Sequence, residues 1–594
     1  MSRLQENLDL ALNRFPDLAK ELEFPDNITK TVLKIEIAKN GSPTAICKNG
    51  YLHSKYDPEK EARKTVESFG RRNNVCGVLE GLCLGYLAEA FIEAYPSSPL
   101  IILEPDKKLF MEILSVRNLR KIFEHPNLIL LLANHPDSLY SVLPSFRDCN
   151  FIYMQNKALR ELYKDYFTGI KSVFSKYLER RNINNNTLKK FGKLWVKNLF
   201  ANFSAGKIKG GIDTLCGAFD NMPALLLAGG PSLDDHREKI KELSSRCLII
   251  CVDTASLFLK DLNISPDFIV TVDPQYYNSR HLDYFPDNKP LLVAESSTCP
   301  RSIRRHTGEV LIGASFFPLG KFLEKNLFIK KKLGAGGSVA TAALDFAVFI
   351  GCKIVYIAGL DLGYIENRTH YKGNFLEYSF LSKSGRLNTP DSFNLRIMSN
   401  GDPILVKNNN GGPLKSDRRL NIYRWWFENH AQKNDNVSIF ALDDRSSYIK
   451  GIGICSFENY PLPEIDKASF YKKISEKLSN FSIGASIKLE IKELSNEILK
   501  LGKLCEDALI IVDSLSSIEK SEYASSLQKL DQIDRYILSG KNNKMISFLI
   551  QSELIDIQSG DNQRDPIENS RILYKAIKDS SQYYFQLVKK YYPG

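Results

Sequence analysis

The feature that most constrains the fold is a series of seven short apolar segments between residues 221 and 463. Several are apolar throughout, which is typical of strands buried on both faces of a parallel sheet. The sequence between them is compatible with helices that cover those faces. We therefore predict an α/β fold with a central Rossmann-like, mostly parallel sheet. The segments read ALLLAG, CLIICVD, FIVTVD, PLLVAES, EVLIGAS, KIVYIAGLD and VSIFALD.

The rest of the chain predicts further domains, because 594 residues are too many for one core. Residues 1–155 contain a strand, a glycine-rich turn, a helix and two more strands, which indicates a smaller α/β domain. Residues 156–220 are predicted to be a helical connector, and residues 221–465 the central, nucleotide-binding domain. Residues 466–594 have apolar residues at three- and four-residue spacing, which predicts a closing helical bundle.

Composition excludes several classes of protein. With 43% hydrophobic and 25% charged residues, the chain is typical of globular proteins. Its net charge of +11 is a mild excess without a dense basic block, so we expect no nucleic-acid partner. The eleven cysteines are scattered without metal-ligand spacing, which favours reduced thiols in a cytoplasmic protein with no metal site. The most apolar region, residues 339–362, is interrupted by charged residues and predicts no membrane span.

The first glycine-rich turn lies in LLLAGGPSLDD, where Gly229, Gly230, Pro231 and Ser232 follow a predicted strand. Glycines let the backbone approach a ligand closely, and a helix N-terminus offers N–H groups with partial positive charge. The turn therefore suits a phosphate, although close packing of a helix on a strand would use the same residues.

A second turn, GAGGS, places Gly336, Gly337 and Ser338 before an apolar helix. It is not a Walker A loop, because no lysine follows the glycines. Two such turns in one sheet predict a nucleotide-phosphate site.

Acidic residues follow four of the predicted strands: Asp253 (with Thr254), Asp273, Glu295 and Asp361. Ligands of open parallel sheets bind at the carboxyl ends of the strands, so these side chains line the expected site. They suit ribose hydroxyls, base edges or a metal, whereas each alone also suits a helix N-cap.

The loop after Asp361 contains Tyr364, Arg368, His370 and Tyr371. Histidine is the natural general base near neutral pH, so His370 is the candidate catalytic residue, although a single loop histidine also commonly decorates a surface.

These motifs, together with RTHYKG and the upstream YLHSKYDPEKEA, resemble the motility-associated factor family of flagellin glycosyltransferases. The central domain of that family is similar to 6-hydroxymethylpterin diphosphokinase and to bacterial sialyltransferases. The resemblance implies transfer of a nonulosonic acid, of pseudaminic or legionaminic type, from its CMP ester to Ser or Thr of flagellin. No cofactor is required beyond this donor.

By the resemblance, the two glycine turns, Asp253, Thr254 and Asp361 would hold CMP. The position of Asp273 after the next strand predicts that it binds the nucleotide as well. In the loop after Asp361, Tyr364 is predicted to contact the sugar, and Arg368, Lys372 or Tyr371 its carboxylate, with arginine best suited.

Two stretches depart from the expected pattern. The sialyltransferases have a histidine before a helix that follows the site, whereas GGPLKSDRRLNIYRWWFEN has Lys415, Ser416 and Asp417. His370 is the substitute base by position. In the first domain, EGLCLGY resembles a dinucleotide or methyl-donor loop with Glu104 on the next strand, but Cys83 replaces the middle glycine. We expect this unit to be a structural or acceptor-docking relic.

Two alternatives remain. The first is pyrophosphoryl transfer from ATP to a hydroxymethylpterin, with Mg²⁺ held by acids such as Asp253, Asp273 and Asp361. The second is a non-catalytic flagellin-binding protein.

Overall fold

The computed structural model describes most of the chain, with gaps. The described residues are 2–18, 32–48, 50–70, 72, 74–146, 149–220, 222–283, 290–324, 327, 329–455, 464–478, 484–515, 520–537 and 566–593.

The described chain forms two compact units, Met1–Thr187 and Leu188–Gly594. The predicted division into four regions stays a prediction, and its boundary at residue 221 lies outside the described residues.

The first unit contains two sheets. β1 to β3 form an antiparallel sheet, and β4 to β7 form a parallel sheet in the order β6-β5-β4-β7. The predicted order of strand, glycine turn, helix and strand is present as β4, α3 and β5. The elements are β1 Leu33–Ile37, β2 Pro43–Cys47, β3 Gly50–Tyr51, β4 Val75–Glu80, β5 Leu100–Glu104, β6 Leu128–Leu132, β7 Asn150–Met154, α1 Arg3–Arg14, α2 Pro58–Glu67, α3 Tyr86–Ala94, α4 Lys107–Val116, α5 Arg120–Phe123, α6 Ser138–Val142 and α7 Lys157–Leu162.

A 41-residue helix, α8 (Lys164–Ser204), follows in the chain. The helical connector predicted for residues 156–220 therefore ends earlier than expected, because β8 lies within the same range. Its sequence, IKGG, contains two glycines and one lysine, so its strand character was not visible from hydropathy.

The second unit is built on a nine-stranded sheet in the order β18-β17-β14-β9-β10-β11-β12-β13-β8. All its strand pairs are parallel. All seven predicted strands are present, and β8 and β18 extend the sheet at its two edges. The strands are β8 Ile208–Gly211, β9 Pro223–Leu227, β10 Leu248–Val252, β11 Phe268–Thr271, β12 Leu291–Glu295, β13 Val310–Gly313, β14 Ile354–Ala358, β17 Ser438–Ala441 and β18 Gly453–Ile454.

The four strands β9, β10, β11 and β13 are almost wholly buried, which matches their unbroken apolar sequences. A separate antiparallel hairpin is formed by β15 (Pro403–Lys407) and β16 (Pro413–Asp417). The predicted fold class is confirmed: a parallel α/β sheet, a smaller α/β sheet before it and helices at the end.

The helices of the second unit cover the sheet and then form the helical C-terminal region. They are α9 Arg237–Leu243, α10 Ser256–Asp261, α11 Pro300–Arg305, α12 Pro318–Glu324, α13 Val339–Phe349, α14 Phe375–Leu381, α15 Pro390–Asn400, α16 Arg418–Lys433, α17 Lys467–Leu478, α18 Gly484–Ser514, α19 Lys520–Ile537 and α20 Pro566–Tyr591.

Candidate functional site

The strand order places a topological switch point between β9 and β14. From β9 the chain adds β10, β11, β12 and β13 on one side, and then returns to place β14 and β17 on the other. At such a point consecutive connections leave in opposite directions and open a crevice at the carboxyl ends of the strands. The segments that leave β9 and β14 there are the first glycine turn and the loop that begins at Gly359.

Asp361 and Ser232 join these two segments. The Asp361 carboxylate accepts hydrogen bonds from the Ser232 amide (2.9 Å) and from the Ser232 hydroxyl (2.5 Å), and both side chains are buried. Burial raises the pKa of Asp361 to about 6, although the bonds from Ser232 oppose this shift. A phosphate bound at the Ser232 amide would therefore compete with Asp361.

Gly229 and Gly230 lie so close to neighbouring residues that a side chain at either position would be crowded. The Gly230 amide donates to the Gly359 carbonyl at 2.8 Å, and a Cβ at Gly230 would collide with the Asp361 carboxylate. A Cβ at Gly229 would lie 2.7 Å from Thr254 Oγ1 and 3.4 Å from His370 Cδ2. The backbone of Gly229 thus brings together one residue that follows β10 and one from the loop after β14. Pro231 begins a 3-10 turn, Pro231–His236, rather than the expected α-helix.

His370 is held above this turn by the backbone, since the next residue, Tyr371, donates its amide to the Gly229 carbonyl at 3.3 Å. Its Nδ1 lies 3.1 Å from Thr369 Oγ1. Burial, reinforced by the positive charge of Arg419, lowers the pKa of His370 to about 4. His370 is therefore neutral near pH 7, as a general base must be before it accepts a proton.

Asp253 and Asp273 follow the neighbouring strands β10 and β11 and accept hydrogen bonds there. The Asp253 carboxylate accepts bonds from Thr271 Oγ1 (2.7 Å) and from the Thr254 amide (2.8 Å). Burial raises the pKa of Asp253 to about 7, and nearby Asp273 adds to the shift. Asp273 accepts from the Gln275 amide at 2.7 Å and from the Asn278 side chain. Both acids have partners within the protein, so their assignment to the nucleotide stays a prediction.

The second glycine turn packs against α16. A Cβ at Gly336 would lie 2.6 Å from the Trp426 ring, and one at Gly337 would lie 2.6 Å from Tyr423 Cε1. Gly337 has a φ of +92°, which strongly favours glycine, and it is exposed. Ser338 caps α13 by accepting the Ala340 amide at 3.3 Å. Tight packing, which was the alternative explanation of this motif, accounts for Gly336, while Gly337 and Ser338 remain reachable.

Three of the side chains predicted to contact the sugar, those of Arg368, Tyr364 and Tyr371, contact other parts of the protein. Arg368 donates to Asp234 at 2.7 Å and to Glu366 at 2.9 Å, and the Lys372 amide donates to Asp234 at 3.0 Å. Tyr364 is buried and donates to Asp417 at 2.6 Å. Tyr371 is fully buried, with its ring centroid 5.4 Å from that of Phe258. In this arrangement the two tyrosines belong to the core, and their role in sugar binding stays a prediction.

The sequence did not predict that one face of α16, with Arg419 and Tyr423, takes part in the candidate site. The stretch that lacks the expected histidine supplies Asp417, which caps α16 through the Leu420 amide at 2.7 Å, and Ser416, which donates to the Leu362 carbonyl at 2.8 Å. The residues that face the site come next: Arg419 and, one turn later, Tyr423. A capping aspartate followed by an Arg–Tyr pair at i, i+4 was the available signal.

The acids considered for Mg²⁺ do not meet as a ligand set. Across the described ranges, no group of three or more His, Cys, Asp or Glu side chains could hold a metal ion. Asp361 and Asp253 use both carboxylate oxygens on Ser232, Thr254 and Thr271. A Mg²⁺ site on these acids, as the alternative hypothesis requires, stays a prediction.

The glycine loop of the first unit is filled by the protein itself. A Cβ at Gly81 would collide with Leu159 of α7, and Cys83 adopts a φ of +49°. Glu104 is fully buried and accepts the Leu82 amide of this loop at 2.9 Å. Burial raises the pKa of Glu104 to about 8, so the acid is mostly protonated near pH 7. These contacts agree with the predicted structural role of this loop.

Of the helices that the structure describes, none is long and apolar enough to cross a membrane.

Sequence comparison finds a family model that matches part of the second unit. Residues 196–367 match the family model of MptE-like 6-hydroxymethylpterin diphosphokinases. An uncharacterized protein of Treponema pallidum (strain Nichols) is 29% identical over 237 residues, which are 39% of this chain and 81% of the relative. Another protein of the same organism is 24% identical over 219 residues, 32% of this chain and 56% of the relative.

Structural comparison finds a similar fold along the whole chain. The structure of a MAf glycosyltransferase from Magnetospirillum magneticum AMB-1 superposes with a TM-score of 0.61 at 15% sequence identity. The match covers 100% of this chain and 96% of that chain. At this identity the likeness shows a common fold, and both comparisons agree with the family resemblance that the motifs indicated.

Proposed function

We propose that the protein is a flagellin O-glycosyltransferase that acts in the cytoplasm and is needed for flagellar assembly and motility. It transfers a nonulosonic acid, of pseudaminic or legionaminic type, from its CMP-activated form to Ser or Thr hydroxyls. The observation that carries the proposal is the meeting of Gly229, Thr254 and His370 at the switch point. A second observation supports the proposal: the chain has the fold of a glycosyltransferase over its entire length.

The chemistry follows from the position of His370. The acceptor hydroxyl oxygen forms a bond to the anomeric carbon, while the bond from that carbon to the CMP phosphate oxygen breaks. The hydroxyl proton passes to His370, and CMP leaves with the electron pair. In the tautomer in which Nδ1 donates to Thr369 Oγ1, Nε2 is unprotonated and accepts this proton.

The leaving phosphate gains negative charge as the bond breaks. Backbone N–H groups stabilise such charge without reorganising, and Gly337 and Ser338 at the start of α13 are the reachable ones. The first turn supports the site in a different way: Asp361 and Ser232 fix the two strand ends relative to each other.

The direct test is mass spectrometry of flagellin from a strain that lacks this protein. We expect the flagellin mass to fall by one nonulosonic-acid residue for each modified site. Reintroducing the intact protein should restore the mass, whereas His370→Gln should not. An unchanged flagellin mass in the deletion strain would contradict the proposal.

A second function is considered because residues 196–367 match the MptE-like family model. A diphosphokinase would bind ATP with Mg²⁺, whereas the proposed transferase would bind CMP. Isothermal titration with each nucleotide separates the two, and binding of neither would favour a non-catalytic flagellin-binding protein.

A further inference from the structure

Arg419 is a cation of the candidate site whose side chain stays largely available to a ligand. This side chain is 57% exposed, and its one ion pair among the described residues is a 3.4 Å contact with Asp417. Asp417 is fully buried and already accepts the Leu420 amide and the Tyr364 hydroxyl at shorter distances. By contrast, Arg368 has two closer carboxylate partners and only 18% exposure.

The geometry of α16 directs Arg419 toward the reaction centre. Residues 419, 423 and 426 are separated by four and three positions and therefore share one face of the helix. Tyr423 and Trp426 on this face contact the second glycine turn, at Gly337 and Gly336. Arg419 is at the N-terminal end of the same face, and after burial its positive charge is the second cause that lowers the pKa of His370.

A cation whose charge acts on the candidate general base has a specific chemical use. In a nonulosonic acid the anomeric carbon, which His370 serves in the proposed reaction, also carries the carboxylate. A group near His370 is therefore near that carboxylate, and a guanidinium binds a carboxylate in bidentate geometry.

We propose that Arg419, supported by Tyr423, binds the sugar carboxylate of the donor and so selects acidic sugar nucleotides. This inference rests on the proposed function. It assigns the carboxylate contact to Arg419 on α16 instead of Arg368, which the sequence favoured. The Tyr423 ring, held against Gly337, fills the space beside the guanidinium and limits the positions that the sugar can take.

The test uses isothermal titration of the full chain with two probes, CMP and CMP-N-acetylneuraminic acid. The variants are Arg419→Ala and Arg419→Lys, with Arg418→Ala as the matched control. Arg418 is the preceding residue, its side chain is 66% exposed, and its one ion pair within the described ranges is a 3.8 Å contact with Asp402. Circular dichroism melting of each variant reports whether it folds.

We expect Arg419→Ala to weaken binding of the CMP-sugar about tenfold or more and to leave CMP affinity unchanged. Arg419→Lys should retain part of the affinity, because it keeps the charge without the bidentate geometry. Arg418→Ala should bind both probes as the wild type does.

The other outcomes are distinguishable. If Arg419→Ala weakens binding of CMP and of the CMP-sugar equally, Arg419 contacts the phosphate, and this inference alone is overturned. If Arg419→Ala binds both probes as the wild type does, this inference alone is likewise overturned. Failure of the wild type to bind either probe would overturn the proposed function and this inference with it.

Discussion

The carboxylate of Asp361 accepts hydrogen bonds from both the amide and the hydroxyl of Ser232, a residue 129 positions earlier in the chain. This pair closes the switch point between β9 and β14, because each residue follows one of the two strands. A backbone hydrogen bond from the Gly230 amide to the Gly359 carbonyl joins the same two segments.

The first prediction concerns the pH dependence of stability at Asp361. Its pKa is about 6 in the folded protein against 3.8 ordinarily, so the folded state binds this proton more tightly than the unfolded state. Wild-type stability therefore falls as the pH rises from about 4 to about 6. Asp361→Asn removes this titration, so we expect the variant to gain about 3 kcal/mol relative to the wild type across that range.

Urea unfolding of both proteins at a series of pH values measures the difference. Asp402→Asn is the control, since the Asp402 side chain is 76% exposed. Wild-type and Asp361→Asn stabilities that run parallel with pH would show that Asp361 is not desolvated.

The second prediction concerns Gly337. An alanine there would adopt an unfavourable φ of +92° and press its Cβ against Tyr423. We expect Gly337→Ala to weaken binding of CMP-N-acetylneuraminic acid about tenfold, because Tyr423 must move. Gly217→Ala is the control: Gly217 also has a positive φ, +62°, but a Cβ there meets open space. Both variants should lose about 1 kcal/mol of stability from backbone strain. Equal affinity in the two would refute a role for the Tyr423 contact.

The third prediction concerns His370. We expect His370→Gln to lower kcat at least about a hundredfold with a small change in KM, as removal of a general base does. Because the pKa of His370 is about 4, the wild-type rate should not decline between about pH 8 and about pH 6 through this group. Steady-state rates against pH provide the measurement, and His135→Gln, at a side chain that is 77% exposed, is the control. A normal kcat in His370→Gln would assign the base to another residue.

The fourth prediction compares two fully buried acids of the first unit. Glu104 has a pKa raised to about 8 by burial, so Glu104→Gln replaces a mostly neutral acid and should change stability at pH 7 by less than about 1 kcal/mol. Glu80 forms an ion pair with Arg160 and accepts the Tyr153 hydroxyl at 2.8 Å. Glu80→Gln should therefore cost about 2 kcal/mol. Thermal unfolding at pH 7 measures both, and the reverse order of stabilities would contradict the protonation assigned to Glu104.

Much of the fold was predictable because strand burial is encoded locally. The unbroken apolar runs at residues 224–227 and 248–252 are typical of strands in a covered sheet, and the structure places them as neighbours. The edge strand β8 was not predictable, since two of its four residues are glycine. The glycine turns were likewise visible, but whether a glycine serves packing or a ligand depends on what faces it.

The candidate site was harder to predict from the sequence than the fold was. His370 and Arg368 stand two positions apart, yet one lies against Gly229 and the other is held by Asp234. Arg419 was not predictable as a site residue, because which face of α16 is turned toward the second glycine turn depends on packing of Tyr423 and Trp426.

Local sequence specifies most of the strands and helices and the polar residues that follow the strands, because burial and backbone preference act over a few residues. Three relationships needed the folded chain: Asp361 accepts hydrogen bonds from Ser232, Gly229 lies against His370, and the charge of Arg419 on α16 acts on His370. Those contacts depend on the order in which the strands join the sheet. That order is set by packing between residues far apart in the chain, which no local pattern records.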